Sequence, residues 1–324
     1  MPRSATPANR QPEWLEPELA TLTRDRFSDP AWLYERKFDG ERCLAYRDGS
    51  QLRLMTRNRK QVNATYPELT AALQGQEAAD FIVDGEVVAF DGEQTSFSRL
   101  QQRLGVRNPG PDLLAAVPVV FYLFDVLWAD GRNLRSLPLL ERKQILAGLL
   151  SFGGPLRETA HRTDDGEAYY AQACASGWEG LVVKRADSPY RAGRSRDWLK
   201  FKCQNNQEFV IAGYTDPKGA RSGFGALLLG YYDRDGQLAY AGKVGTGFSD
   251  ATLASLARAL VGLERPRPAF DRGTLPRSGV HWVEPRLVGQ VAFSEWTSAG
   301  QLRHPRFQGL RRDKDPASVV RENA

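Results

Sequence analysis

At about 150 residues per domain, a chain of 324 residues favours two domains over one. Hydrophobic residues make up 41% and charged residues 26%, which excludes wholesale disorder and a collagen-like repeat. The 44 Lys and Arg against 39 Asp and Glu leave a net charge of +5, compatible with an anionic partner without requiring one. The longest apolar stretch, Ala115 to Trp128, carries Pro118 and Asp125 and is too short to span a bilayer. The first residues lack the apolar core of a secretion signal, so a soluble intracellular protein without membrane association is expected. Cys43, Cys174 and Cys203 are far apart with no Cys-x-x-Cys pair. Neither a disulfide framework nor a thiolate zinc site is expected, and a reducing cytoplasm fits. His161, His281 and His304 are equally scattered, and neither a P-loop nor a Rossmann glycine turn occurs.

In chain order, residues 1–13 read as a flexible arm, rich in Pro, Arg and Asn and without periodicity. Trp32 to Tyr46 is strand-like until Asp39-Gly40 interrupts it, and Leu52, Leu54 and Thr56 form a second alternating run. Phe81-Ile82-Val83 and Val87 to Phe90 flank Asp84-Gly85, with a further Asp-Gly at Asp91-Gly92, which predicts strands joined by tight turns. Val119 to Leu127 reads as a buried strand. Helical spacing runs from Leu137 to Leu150, and a second helix from Gly166 to Ser176 is closed by Gly177. Leu181 to Val183 and Trp198 to Lys202 are strands again. Beyond about Asn206 the texture changes to short strands (208–213, 226–232, 238–244, 288–296) around one helix, Asp250 to Leu263, capped by Ser249 or Asp250. That pattern suits a small barrel such as an OB-fold. The expected division is an arm over 1–13, a first domain over 14–206, a barrel over 207–318 and a tail over 319–324.

The chemistry concentrates in five segments. Tyr34 to Arg42 places Lys37 in a strand ending in Asp39-Gly40, where a solvated edge strand is the plain alternative. Asp84-Gly85-Glu86 puts a carboxylate at the start of an apolar strand. Phe121 to Asp125 sets an aromatic beside an acid, and Phe124 taken alone reads as core. Glu179 and Lys184 stand at opposite ends of a buried strand. Lys200 and Lys202 share one face of another, because side chains repeat every second residue.

Taken in order, these segments resemble the nucleotidyltransferase motifs of ATP-dependent DNA ligases. Lys37 to Arg42 matches Lys-x-Asp-Gly-x-Arg, with Glu35 as the acid two residues before it, and Thr56-Arg57-Asn58 resembles the short Ser-Arg-Asn element. Gln207 to Thr215, Phe224 to Gly230, Ala241 to Phe248 and the tail Leu302 to Lys314 are similar to the ligase module of bacterial end-joining ligases of the LigD type. The likeness covers roughly Trp14 to Pro316. Two positions depart from it: Arg59 stands where Gly is common, an expected change in the loop's path, and Arg312 where an acid is usual.

The resemblance implies an α+β nucleotidyltransferase (adenylation) domain of antiparallel sheets with helices, followed by an all-β OB-fold domain. It implies a reaction in three phosphoryl transfers, with Lys37 as the nucleophile that takes AMP from ATP. Since only a neutral amine attacks, a nearby cation or desolvation is expected to favour deprotonation. Glu35 and Phe124 would recognise adenine, Arg42 and Glu86 the ribose side, and Arg42 and Arg57 the DNA end. Lys200 and Lys202 would face the α-phosphate, and Glu179 and Glu86 would hold Mg²⁺, with Mn²⁺ as the alternative ion. Arg311 and Lys314 would meet pyrophosphate or DNA, the barrel swinging about a hinge near Gln204 to Gln207. Implied partners are nicked or broken duplex DNA and a Ku-like end-binding protein, for a monomer in the cytoplasm that associates with the nucleoid while acting. RNA ligase, mRNA-capping guanylyltransferase and a catalytically dead nucleic-acid-binding module remain the alternatives.

Overall fold

The computed structural model describes residues 10–203, 205–217 and 223–322, and it divides into two units, the first ending at Cys203. Most of the N-terminal arm, residues 1–9, lies outside the described residues, as does Gln204 of the expected hinge. Residues 10–13 are tied down, because the Gln11 amide donates to the Arg47 carbonyl at 2.7 Å and to Asp80 at 3.0 Å.

In chain order the first unit comprises β1 (Glu18–Leu22), β2 (Trp32–Arg36), β3 (Glu41–Asp48), β4 (Gln51–Thr56), α1 (Pro67–Gln74), β5 (Asp80–Asp91) and β6 (Gln94–Thr95). It continues with α2 (Phe97–Leu100), α3 (Pro111–Ala116), β7 (Val119–Ala129), β8 (Arg132–Asn133), α4 (Leu139–Leu149), β9 (Leu156–Glu158) and β10 (His161–Arg162). The last elements are α5 (Gly166–Ala175), β11 (Gly180–Arg185) and β12 (Gly193–Lys202). One sheet runs β1-β12-β11-β2-β10. The other runs β4-β3-β5-β7-β8, with β6 on β5 and β9 on β7. Pairing is antiparallel except at β1–β12 and β7–β9, so both sheets are mixed rather than wholly antiparallel.

Strand alternation explains the layering. On β3, Cys43 and Ala45 enter a core shared with Leu69 and Leu73 of α1 and Leu146 of α4, while Leu44 and Tyr46 face the other way, toward Trp198 and Tyr190. In the first sheet, Tyr34, Leu181, Val183 and Phe201 pack with Tyr169 and Ala173 of α5. The opposite parity therefore carries Glu35, Lys184, Trp198, Lys200 and Lys202 to the side facing the second sheet. Both sheets are apolar on their helix-covered faces, and the cleft between them receives the charges.

Two sequence expectations change. Asp84-Gly85 is no turn: β5 runs unbroken from Asp80 to Asp91, and its pairing with β7 shifts register at Asp84/Gly85. The irregularity is a bulge-like shift inside the sheet, whereas Asp91-Gly92 does turn, leading β5 into β6. The cysteine expectation is overturned more plainly. Cys174, on α5, and Cys203, just past β12, form a disulfide, and Cys43 is a buried free thiol. Sequence distance concealed this pair, because α5 packs directly on the sheet that β12 completes. Cysteine usage thus gives no argument for a reducing compartment.

The second unit holds β13 (Asn205–Thr215), β14 (Leu227–Tyr232), β15 (Leu238–Val244), α6 (Asp250–Val261), β16 (Glu264–Arg265), β17 (Val280–Phe293), β18 (Glu295–Trp296), β19 (Leu302–Arg303) and β20 (Arg306–Leu310). Its main sheet runs β15-β14-β13-β17-β16, with β20 on β17. The Ser249 hydroxyl accepts from the Thr252 amide at 3.2 Å and starts α6, whose stripe Leu253, Leu256 and Leu260 packs on Phe209, Ile211, Leu227 and Val291. Val210 and Ala212, of opposite parity on β13, face a second core with Tyr240 and Phe270.

The disulfide is checked by thiol titration. Denatured without reductant, the protein should present a single reactive thiol, that of Cys43, where an unlinked chain presents all three. The Cys174→Ser, Cys203→Ser double variant should lose about 3–4 kcal/mol of unfolding free energy relative to the wild type in reductant-free buffer, from the loop that the bond closes.

Candidate active site

Lys37 is the first residue beyond β2, its amide held by the Gly180 carbonyl at 2.9 Å. It is thus delivered from a strand end and not from within a strand. Gly40 permits the turn that follows, since a Cβ there would run into the Val87 carbonyl oxygen. Gly180 is equally constrained: its φ is +145° and a Cβ would strike the Phe201 carbonyl. These two close approaches put Glu179 opposite Lys37, with Lys37 Nζ 2.5 Å from Glu179 Oε2 and both side chains largely buried.

The electrostatics run against the expectation drawn from the chemistry. Burial works against the Lys37 ammonium, but Glu179, Asp39 and Glu86 together outweigh it and hold Lys37 above the usual lysine range. The group that must become a neutral nucleophile is stabilised as a cation by its own pocket. Deprotonation therefore needs those carboxylates to be engaged by something other than Lys37. Glu179 and Glu86, the expected metal ligands, are two of the three. Among the described residues no three acidic, His or Cys side chains converge into a ready-made metal site, so two carboxylates would leave most of a coordination sphere to phosphate and water oxygens.

Glu35 is 2% exposed and lies between two lysines: Lys143 Nζ is 2.7 Å from Oε1 and Lys184 Nζ 2.5 Å from Oε2. Burial would raise its pKa, but the lysines reverse this and keep it below the usual carboxylate range. Phe124 is 8% exposed in the core facing the cleft, with Arg42 at 4.6 Å and Lys184 at 4.1 Å from its ring centroid. A stacked base would compete with those cations for the ring, so the core reading of Phe124 holds in this structure beside any stacking role. Arg42 is committed to Asp84 by two bonds of 2.5 Å, and Asp84 also accepts from the Tyr190 hydroxyl at 2.5 Å. That edge of the guanidinium must leave Asp84 before it can meet a ribose or a DNA end.

Lys200 and Lys202 flank buried Phe201 and share the cleft face. Arg57 is exposed just beyond β4, its amide donating to the Arg42 carbonyl at 3.3 Å. Arg59 adopts φ 59°, the left-handed conformation that glycine takes freely, at a cost of about 1–2 kcal/mol. In the second unit the basic tail is less free than its sequence suggests. Arg311 pairs with Asp313 at 2.8 Å, Lys314 with Glu208 at 3.0 Å, and Arg303 with Glu295 at 2.8 Å. Arg311 and Lys314 would have to exchange these carboxylates for pyrophosphate or DNA.

Sequence reasoning missed Asp84 as the partner of Arg42, Tyr190 as a donor to Asp84, and Arg142 and Lys143 on α4. Arg142 forms a fully buried pair with Asp125, Nε to Oδ1 at 2.7 Å, and removing one partner of such a pair costs about 3–5 kcal/mol. A signal was present: Leu139, Lys143 and Leu146 recur at helical spacing, which places a lysine inside the apolar stripe.

The model of the ATP dependent DNA ligase domain matches residues 17–202, and that of the ATP dependent DNA ligase C terminal region matches residues 220–314. The chain belongs to the ATP-dependent DNA ligase family. It is 38% identical over 322 residues to the multifunctional non-homologous end joining protein LigD of Pseudomonas aeruginosa, covering 96% of this chain and 37% of that protein. LigD of Mycobacterium tuberculosis is 38% identical over 314 residues, covering 95% of this chain and 40% of the relative. This ligase chain therefore spans about two fifths of the length of these relatives. A solved structure of mycobacterial DNA ligase D with ATP and MES matches with a TM-score of 0.68 at 36% identity, over 95% of this chain and 98% of that one. The architecture is accordingly an adenylation domain followed by an OB-fold domain.

The charge state of Lys37 gives a test that needs no substrate. In the metal-free ligase, acylation of Lys37 by an amine reagent should keep rising with pH through the alkaline range, since a raised pKa holds the amine protonated longer. Glu179→Gln removes the nearest carboxylate and should speed acylation several-fold wherever the wild-type amine is still protonated. Peptide mapping of the modified lysine reads the result, and an unchanged or slower rate in Glu179→Gln contradicts the assignment.

Proposed function

We propose that the chain seals breaks in duplex DNA through a lysine-bound AMP, with Lys37 as nucleophile. The observation that carries this reading is the position of Lys37 against Glu179, with Asp39 and Glu86 close enough to influence its charge and Lys200 and Lys202 on the same cleft face. The Lys37 amine, having lost a proton, would form an N–P bond to the α-phosphorus of ATP as the bond to pyrophosphate breaks. AMP would then pass to a DNA 5′-phosphate, and a 3′-hydroxyl would displace it to close the strand.

Catalysis of this kind is mainly positioning and charge stabilisation. Glu179 and Glu86 would hold Mg²⁺ or Mn²⁺, an oxygen-ligand ion that neutralises phosphate charge. Their engagement elsewhere would also release Lys37 from the carboxylates that keep it protonated. Lys200 and Lys202 supply fixed positive charge for the α-phosphate, Glu35 reads the base, and Arg42 and Arg57 serve the ribose and the DNA end. Likeness to relatives named for non-homologous end joining supports broken ends as the physiological substrate, and a Ku-like recruiter and work at the nucleoid are further parts of this proposal. In this reading Arg311 and Lys314 alternate between their carboxylate partners and pyrophosphate, as the OB-fold unit changes position between steps.

Incubation with α-labelled ATP should leave acid-labile, alkali-stable label on the protein, and Lys37→Ala should take up none; label persisting in that variant removes Lys37 from the role. Sealing of nicked and of blunt duplexes, with and without an end-binding protein, separates nick repair from end joining, and RNA-containing strands or GTP in place of ATP test the RNA-ligase and capping alternatives. The Arg311→Ala, Lys314→Ala double variant should lose self-adenylation at least tenfold more than sealing of a nick already carrying AMP. Equal losses in the two assays would point to a folding role for the ion pairs with Asp313 and Glu208.

A further inference from the structure

The Lys143–Glu35–Lys184 cluster holds two cations for one carboxylate in a place where all three side chains are at most 2% exposed. Charge balance alone needs a single lysine, and a second buried ammonium is costly to desolvate. What the second cation adds is orientation. The terminal torsion of a glutamate is broad, so a carboxylate held at one oxygen can still rotate, whereas one held at both cannot. Lys143 is itself fixed, since its ammonium also donates to the Thr159 carbonyl at 3.0 Å. Lys184 is placed between aromatic rings, 4.1 Å from the centroids of both Phe124 and Trp198.

The surroundings point to a hydrogen-bonding ligand. Thr159 Oγ1 and Trp198 Nε1, on residues that touch this cluster, are buried without a hydrogen-bond partner, as is Lys184 Nζ, whose contact with Glu35 is an ion pair. Buried polar groups are nearly always satisfied, so orphans gathered around an ion triad fit a planar heterocycle with polar edges.

We infer that Lys143 is a positioning residue for base selection: from α4 it locks the Glu35 carboxylate so that it accepts a hydrogen bond from the 6-amino group of adenine and repels the 6-carbonyl of guanine or hypoxanthine. This rests on the reading of Glu35 as the group that recognises the base. The lowered pKa of Glu35 agrees, because only an ionised carboxylate is an acceptor without a proton to offer a carbonyl. Lys143 touches no substrate in this scheme and acts through Glu35. Without it, Glu35 keeps one cation, rotates, and takes up a proton more readily, so that a 6-carbonyl becomes acceptable.

The experiment measures single-turnover labelling of the full chain by α-labelled ATP and by α-labelled inosine triphosphate, whose base has a 6-carbonyl for the 6-amino group and a proton on N1. Lys143→Met should raise the apparent KM for ATP and lower the ATP-over-ITP preference, each by about tenfold, with the limiting rate at saturating ATP changed far less. Lys143→Arg, which keeps the charge, should restore most of the preference. Lys143→Gln keeps a hydrogen bond to Glu35 but not the charge that holds it ionised, so it should lose a measurable part of the preference, less than Lys143→Met; it replaces Lys143→Met if that variant fails to fold by near-UV circular dichroism. Glu35→Gln is the control, since an amide can donate to the 6-carbonyl and should abolish the preference. If Glu35→Gln keeps the preference, the reading of Glu35 fails. If Glu35→Gln loses it while Lys143→Met or Lys143→Gln retains the wild-type preference, the role of Lys143 is overturned and the reading of Glu35 stands.

Discussion

A strand covered on both sides has to send alternate side chains into two different environments, and the adenylation domain uses that constraint to place its charges. Tyr34, Leu181, Val183 and Phe201 go under α5, which obliges Glu35, Lys184, Lys200 and Lys202 to face the second sheet. On that sheet Cys43 and Ala45 go to the helices, so Arg42 faces the cleft, where it meets Asp84. A slip of one residue in any of these strands would exchange a lysine for an apolar residue. The apolar core and the site are two sides of one register, so whatever stabilises the first also aligns the second.

The cleft is then a problem in charge compensation. Among the described residues, several cations are answered by acids: Lys37 by Glu179, Arg42 by Asp84, Arg142 by Asp125, and Lys143 with Lys184 by Glu35. Such pairs are expensive to desolvate and add little net stability, but they fix side chains at the cost of that energy. The pairs differ in what they leave open. Arg142–Asp125 is fully buried and serves as scaffold, while Lys37–Glu179 retains some exposure.

Most of this could be read in the sequence where the signal was local. The order of Lys37, Glu86, Phe124, Glu179 and Lys200 along the chain carried the family, and alternation at Lys200-Phe201-Lys202 gave the shared face directly. Most of the failures were non-local. Asp84-Gly85 looks like a turn because the bulge that accommodates it depends on β7, some forty positions away. Nothing near Cys174 announces Cys203. The protonated state of Lys37 depends on carboxylates from three separate segments, so the motif alone suggested the opposite bias. Lys314 read as unengaged charge because its partner Glu208 lies at the start of the second unit, whereas the Asp313 that pairs with Arg311 stood two residues away.

The crosslink between Cys174 and Cys203 has a mechanical side. Cys203 is the residue after Lys202, and its amide also donates to the Glu179 carbonyl at 3.0 Å. Tension transmitted along the chain from residue 205 onward meets a covalent bond into α5 before it reaches the hydrogen bonds of β12. The bond thus fastens the end of β12, with its two lysines, to a helix seated on Tyr34 and Phe201.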